Sequence, residues 1–324
     1  MIDPIALSCG EPAGIGPEIA AGAWAELDGA LPFFWIGDPR HLPSGTPVAR
    51  IDTPAEVRAA LPHGLPVLEH PFPAMATPGR IDPQNAAAVV DVIARAVDLV
   101  QSGAAGALCT APINKQALKE GANFAHPGHT EYLAALAGVN RVVMMLACDA
   151  LRVVPTTIHI PLSEVSQTLT TELLADTIEI THAALRRDFG INAPRIAVAG
   201  LNPHAGEGGA MGREEIEVIT PVIQRYQDME YLIFGPLPAD TMFHEGARAR
   251  FDAAIAMYHD QALIPIKTLD FARGVNVTLG LPFVRTSPDH GTALDIAGQG
   301  RADPRSLIAA LQMAARMAAT RARA

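Results

Sequence analysis

The sequence predicts an α/β protein with a largely parallel sheet, arranged as two domains, and three observations carry that prediction. Short apolar runs alternate with helical patterns almost from end to end. The chain has 324 residues, 49% of them hydrophobic, enough to bury one large or two medium cores. No composition break marks a single linker, as expected if the chain crosses between domains more than once and the first domain is discontinuous.

The elements follow in order. Strand-like runs are PIALSCG (4–10), PFFWIG (32–37), AGALCT (105–110), VVMMLAC (142–148), RIAVAGL (195–201), YLIFG (231–235) and AAIAMY (253–258). After the first of them GEPAGIGPE (10–18) turns into a helix opened by Pro17. The Pro-rich patch at 61–79 reads as a loop or edge excursion with little regular structure. A helix follows over 82–103, with Asp82 as N-cap, Pro83 at the first helical position and Gly103 past the last turn. Another, over 170–190, closes on Arg186 and Arg187, which suit the helix dipole, and then Gly190. The stretch 305–324 reads as a final amphipathic helix.

Composition removes whole classes of partner. A net charge of -10 and no basic cluster argue against nucleic acid and against an anionic membrane surface. The N-terminal MIDPIALSCG has neither a basic n-region nor an apolar h-region, and no run approaches the ~20 apolar residues needed to span a bilayer, so the protein is expected to be soluble and cytoplasmic. Cys9, Cys109 and Cys148 each lie in apolar, strand-like sequence and read as reduced core thiols. Of the 24 basic residues only Lys115, Lys119 and Lys267 are lysines, and Lys267 stands out within an apolar segment. Small molecules remain as ligands.

Three constellations could bind them. His159 ends the β-like PTTIHI, His204 lies in the glycine-rich AGLNPHAGEGGAMG, and His259 follows the strand AAIAMY. All three fall at or beyond predicted carboxyl ends of strands, where α/β proteins collect ligands, and three imidazoles there could share one divalent metal. The spacings of 45 and 55 residues do not distinguish such a triad from three ordinary polar histidines. Second, HPGHTEYLAALAG starts a helix at His129 and Thr130, whose free N–H groups would accept a phosphate; an N-cap beside an exposed histidine is the plainer reading. Lys267, Asn276 and Arg285 add three donors along a segment rich in strand formers, an anion clamp or a set of solvated side chains. Third, GEPAGIGPE fits neither G-x-G-x-x-G nor the P-loop, so it is either a divergent phosphate turn or a structural one.

Taken in order, GEPAGIGPE, HPGHTEYLA, NPHAGEGGAMGREE, GPLPADT, AMYHDQALIPIK and GVNVTLGLPFVRTSPDHGTALDIAG resemble the 4-hydroxythreonine-4-phosphate dehydrogenase family of vitamin B6 biosynthesis, over nearly the whole chain. The resemblance implies His159, His204 and His259 as ligands of one divalent metal (zinc, magnesium or cobalt), and His129, Thr130, Lys267, Asn276 and Arg285 as substrate-binding residues. It also implies a homodimer with the active site at the subunit interface and one metal histidine supplied by the partner chain, for which His259 is the expectation.

A wider similarity links DHGTALDIAGQGRADP (289–304) to the cofactor loop of isocitrate and isopropylmalate dehydrogenases, with Leu294 where proline is usual. That similarity implies two α/β/α domains with a cleft between them, 1–130 plus 283–324 forming the first and 131–282 the second. It also implies His290, Gly291 and Asp295 as cofactor contacts, and a carboxylate at Asp295 suits the ribose 2′-OH of NAD but repels a 2′-phosphate. The implied reaction is NAD-dependent oxidation of 4-phosphooxy-L-threonine, followed by decarboxylation, with Asp260 and Lys267 as candidate proton acceptors. Dehydrogenases of other phosphorylated hydroxy acids, such as threonate or erythronate phosphate, are the alternatives within that class. A phosphate acetyltransferase-like acyltransferase and a non-catalytic metal- and phosphate-binding protein are the alternatives outside it.

Overall fold

Residues 3–323 are described by a computed structural model, so Met1, Ile2 and Ala324, at the ends of the expected first domain, lie outside the described residues. The chain divides into two compact units, 3–142 with 281–323, and 143–280. The first crossing therefore follows residue 142, twelve residues later than the expected 130, and the return precedes 281. The reason is the helix His129–Ala137, which packs against the long helix Ala86–Gln101 and stays with the first unit.

The first unit runs β1 (Ile5–Ser8), α1 (Gly16–Leu27), β2 (Phe33–Gly37), β3 (Val48–Ile51), α2 (Val57–Ala60), β4 (Leu65–Glu69), α3 (Ala86–Gln101), β5 (Ala107–Thr110), α4 (Lys115–Ala122) and α5 (His129–Ala137). Its strands lie in the order β3-β4-β2-β1-β5 and pair in parallel. Such strands are covered on both faces, which is why β1, β2 and β5 are apolar and wholly buried rather than alternating. The helix α3 buries Val89, Val92, Ile93, Ala96, Val97 and Val100, the i, i+3, i+4 stripe of an amphipathic helix. Each such Val or Ile adds roughly 1.5–3 kcal/mol of burial. Asp82 caps as expected, but on a short 3₁₀ turn, Pro83–Asn85, that leads into α3.

The second unit runs β6 (Val143–Cys148), β7 (Leu151–Thr157), α6 (Val165–Thr168), α7 (Thr171–Arg187), β8 (Ile196–Ala199), α8 (Thr220–Asp228), β9 (Ile233–Leu237), α9 (Glu245–Arg248), β10 (Ala253–Tyr258), α10 (His259–Leu269) and β11 (Val275–Leu279). Its strand order is β11-β6-β7-β10-β8-β9. The ladders β11–β6 and β6–β7 are antiparallel; those from β7 to β9 are parallel. Thr170 caps α7 by accepting from the Leu173 N–H at 3.1 Å. The chain then returns to the first unit with β12 (Arg285–Pro288), parallel to β5, and α11 (Arg305–Arg321).

The Pro-rich patch contradicts its reading as irregular: β4 lies inside it and pairs with both β2 and β3. Pro66 is tolerated because it is only the second residue of the strand, one before the pairing with β2 begins at Val67. The three cysteines are free and buried, and burial pushes the Cys109 thiol up to about 12, so it stays protonated and inert. No helix among the described residues is long and apolar enough to cross a membrane.

Candidate active site

In the second unit, parallel β7 and β10 deliver two of the predicted histidines side by side. Thr157, the last residue of β7, pairs with Tyr258, the last of β10, and its hydroxyl donates to the Met257 carbonyl at 2.8 Å. Two residues on from the one and one on from the other stand His159 and His259, with ring centroids 5.7 Å apart. They line a cavity of about 260 Å³ with Leu162, Val165, Tyr258 and Asp260. The entry to α10 is locked by Gln261, which accepts from the Met257 N–H and donates to the Gly200 carbonyl. Nδ1 of His259 meets Asp260 Oδ1 at 2.7 Å, leaving Nε2 to face a ligand. A carboxylate on the far nitrogen is the usual way to orient a metal-binding imidazole.

His204 does not join them. No group of three His, Cys, Asp or Glu residues able to hold a metal forms among the described residues of one chain. The residues from His204 to Gly208 instead form a left-handed turn, with φ of 52°, 52°, 76°, 43° and 67°, and His204 is exposed. Left-handed backbone costs about 1–2 kcal/mol at each residue bearing a Cβ. Buried Glu215 offsets this by accepting from the Asn202 backbone N–H at 2.7 Å and from its side-chain amide at 3.0 Å, while Glu214 takes the same amide at 2.7 Å. A Cβ at Gly206 would strike Glu215 Oε2, so glycine there admits the carboxylate.

In the first unit, α5 begins at His129 as predicted, but its N-cap is Gly128 and no side chain caps it, so its first N–H groups stay available to a ligand. The buried Arg285 guanidinium, on β12, donates to Thr110 Oγ1 on β5 at 2.7 Å. Burial pulls Arg285 down to about 10, and burial with the charges of Arg285 and Lys115 holds His129 well below the usual histidine range. His129 is therefore neutral at pH 7, and its Nε2 is buried with no hydrogen-bond partner.

The candidate cofactor loop is braced from α1. Glu18 accepts from the backbone N–H groups of Gly298 and Gly300, and the Ile15 N–H donates to the Thr292 carbonyl at 3.0 Å. GEPAGIGPE thus serves as the turn against which this loop packs. Ala293 adopts φ of 43°, a conformation that a following proline would oppose, and Leu294 permits it. His290 Nδ1 contacts the Gly291 carbonyl at 3.0 Å, and its Nε2 is buried without a partner. The exposed Asp295 carboxylate makes no hydrogen bond among the described residues, which fits an acceptor for ribose hydroxyls.

The other predicted residues lie elsewhere in the second unit. Lys267 is in the last turn of α10, its Nζ 5.7 Å from the Phe271 ring centroid. A rise of about 1.5 Å per residue separates it from His259 by about 12 Å along the helix. Asn276 sits in β11 between buried Val275 and Val277, half-buried on the opposite face. Two residues that shape these sites were not singled out from sequence, Glu18 and Glu215. The only signal for Glu215 was its place thirteen residues after Asn202, a contact no motif encodes.

The family described as pyridoxal phosphate biosynthetic protein PdxA matches residues 33–314. A 4-hydroxythreonine-4-phosphate dehydrogenase from Roseobacter denitrificans is 66% identical over 98% of this chain and 97% of its own length. Among solved structures, 4-hydroxythreonine-4-phosphate dehydrogenase from Klebsiella pneumoniae superposes with a TM-score of 0.91 at 40% identity, over 98% of both chains. A terephthalate 1,2-cis-dihydrodioldehydrogenase from Burkholderia xenovorans LB400 does so with a TM-score of 0.66 at 27% identity, again over 98% of both. With relatives this similar along nearly its whole length, the chain is an enzyme of the dehydrogenase class, and it belongs to the family of the pyridoxal phosphate biosynthetic protein PdxA.

Proposed function

We propose that this enzyme oxidises 4-phosphooxy-L-threonine to 2-amino-3-oxo-4-phosphooxybutanoate with NAD and a divalent metal, and that the product loses CO2 to give 3-amino-2-oxopropyl phosphate for pyridoxal 5′-phosphate synthesis. The observation that carries the reading is the adjacent His159 and His259, the latter backed by Asp260, a donor set that fits two of three ligands of zinc, magnesium or cobalt. A cation held there supplies Lewis acidity to the substrate's secondary alcohol and to the charge that develops as CO2 departs.

The residues of the chain do the rest. His129, the Thr130 N–H and Arg285 hold the phosphate, and Lys267 and Asn276 orient the remaining polar groups, so that binding becomes alignment. Asp260 fixes the His259 ring and keeps its second oxygen exposed as the acceptor of the hydroxyl proton. The distance of Lys267 from His259 along α10 supports an anion clamp over a base. His290, Gly291 and Asp295 line the NAD loop, and Asp295 disfavours NADP.

Because His159 and His259 meet within one chain, the ligand that the partner subunit of a homodimer supplies is His204, in place of the expected His259. The exposed, rigidly braced turn that carries His204 suits that role. The buried free cysteines are in keeping with a reducing, cytoplasmic setting.

Dehydrogenases of other phosphorylated hydroxy acids would share these contacts. The buried Arg285 beside neutral His129 favours a phosphorylated substrate over an unphosphorylated diol carboxylate. The test is NADH formation by the purified dimer, with each metal in turn, on 4-phosphooxy-L-threonine and on threonate and erythronate phosphates. Turnover fastest on the first is expected; fastest turnover on another acid moves the substrate assignment, and none on any of them removes the reading. Lys267→Ala should raise KM while leaving the pH profile of kcat unmoved.

A further inference from the structure

We propose that Lys115 is a further contact to the substrate's phosphate, its ammonium set over the N-terminus of α5; this rests on the reading of α5 and Arg285 as the phosphate site. Lys115 is the first residue of α4, whose start is fixed by Asn114 Oδ1 accepting from the Ala117 N–H at 3.0 Å. From there the side chain reaches back to Gly128, the N-cap of α5. A Cβ built on Gly128 would lie 3.2 Å from Lys115 Cε and 3.4 Å from its Nζ.

Gly128 has φ of -174°, extended backbone that any residue adopts. Its glycine is therefore a matter of room, and the room is filled by Lys115. The ammonium forms no hydrogen bond or ion pair among the described residues, although Glu131 Oε2 lies 3.3 Å from the same point on Gly128. Lys115 is exposed, so its ammonium is solvated while ligand-free, and it stands close enough to the start of α5 to meet an anion bound there.

Three further groups bear on that anion. Arg285 is a buried guanidinium, and both it and Lys115 bear on His129 strongly enough to help keep that ring neutral. The His129 Nε2 is buried and without a partner. The first N–H groups of α5 have no side-chain cap. Arg285 and Lys115 both act on His129 at the N-terminus of α5, with Glu131 as a carboxylate close by. A phosphate dianion brings negative charge and enough oxygens for each donor. Lysine acts here as a point charge that tolerates either orientation of the phosphate, while Arg285 fixes the geometry.

The test uses Lys115→Met, Lys115→Arg and Gly128→Ala in the full-length dimer, with two readouts. The first is steady-state kinetics on the phosphorylated substrate. Lys115→Met should raise KM about 10- to 100-fold with kcat within about 3-fold of wild type, the mark of a lost binding contact. Lys115→Arg should restore most of KM, and Gly128→Ala, which displaces the ammonium, should raise KM by a smaller factor. The second readout needs no turnover: the rise in Tm that inorganic phosphate gives the protein should shrink in Lys115→Met and return in Lys115→Arg. If no hydroxy acid is oxidised, the proposed reaction falls while the phosphate shift still reports on Lys115. A wild-type protein that phosphate does not stabilise, a shift undiminished in Lys115→Met, or a loss confined to kcat overturns the proposal.

Discussion

The anion site of the first unit and the histidine site of the second are built by opposite means. Around α5 a single chain brings together buried Arg285, neutral His129 and uncapped helix N–H groups, so the donors are assembled before any ligand arrives. At the ends of β7 and β10 a single chain brings only His159 and His259 together, and His204 stands apart on an exposed left-handed turn. The difference teaches that the proposed phosphate site is a property of the subunit, whereas the proposed metal site is a property of the assembly.

The largest effect should come from breaking the pair. His159→Ala or His259→Ala is expected to lower kcat/KM by about 10³-fold, the equivalent of several kcal/mol, with loss of bound metal measured by elemental analysis. The inorganic-phosphate shift in Tm should survive in both, since the anion site is separate chemistry. Mixing subunits sharpens the contrast further. His159→Ala mixed with His204→Ala should regain activity, because each mixed dimer rebuilds one whole site. His159→Ala mixed with His259→Ala should regain none, because both ligands come from the same chain. The reverse pattern would return His259 to the role of partner ligand.

Next in size is Asp260→Asn. It keeps a polar partner for His259 Nδ1 but removes the charge, and a 10- to 100-fold fall in metal affinity is expected by competition with a chelator. A smaller effect belongs to His129. Its folded pKa lies below the unfolded value of 6.5, so the unfolded chain binds the extra proton and stability is lost as pH falls through 6.5. Between pH 6.5 and 5.5 the wild type should lose about 1 kcal/mol more than His129→Gln in denaturant melts. A variant with the same pH slope as wild type would show that the ring is not held neutral. The smallest is Glu207→Gly, which removes a Cβ from left-handed backbone and should add about 1 kcal/mol of stability with little change in KM.

What could be read from sequence divides along physical lines. The strands β1, β2, β5, β8, β9 and β10, which pair in parallel, and the antiparallel β6 were visible because each lies in a short apolar run. The helix ends at Asp82 and at Arg186 and Arg187 were visible because caps and dipole partners are local chemistry. β4 was hidden by the prolines around it, since a proline at the second position of a strand has the same composition signal as a loop. The placement of His159, His204 and His259 beyond strand ends was legible, but which two meet was not. That depends on β10 lying between β7 and β8, an order set by long-range pairing. Glu18 and Glu215 escaped for the same reason, because their partners lie 280 and 13 residues away along the chain.

The support under the His204 turn also decides what could be moved to another protein. Residues 202–212 grafted alone would keep only their own backbone hydrogen bonds against the left-handed strain and would lose the Glu215 carboxylate that Asn202 donates to. The transplantable piece is 200–219, which carries Glu215 at the head of the following helical segment and thereby brings its own internal splint. A scaffold that accepts that cassette would present an imidazole at a fixed height above its surface, ready to complete a site on whatever docks against it.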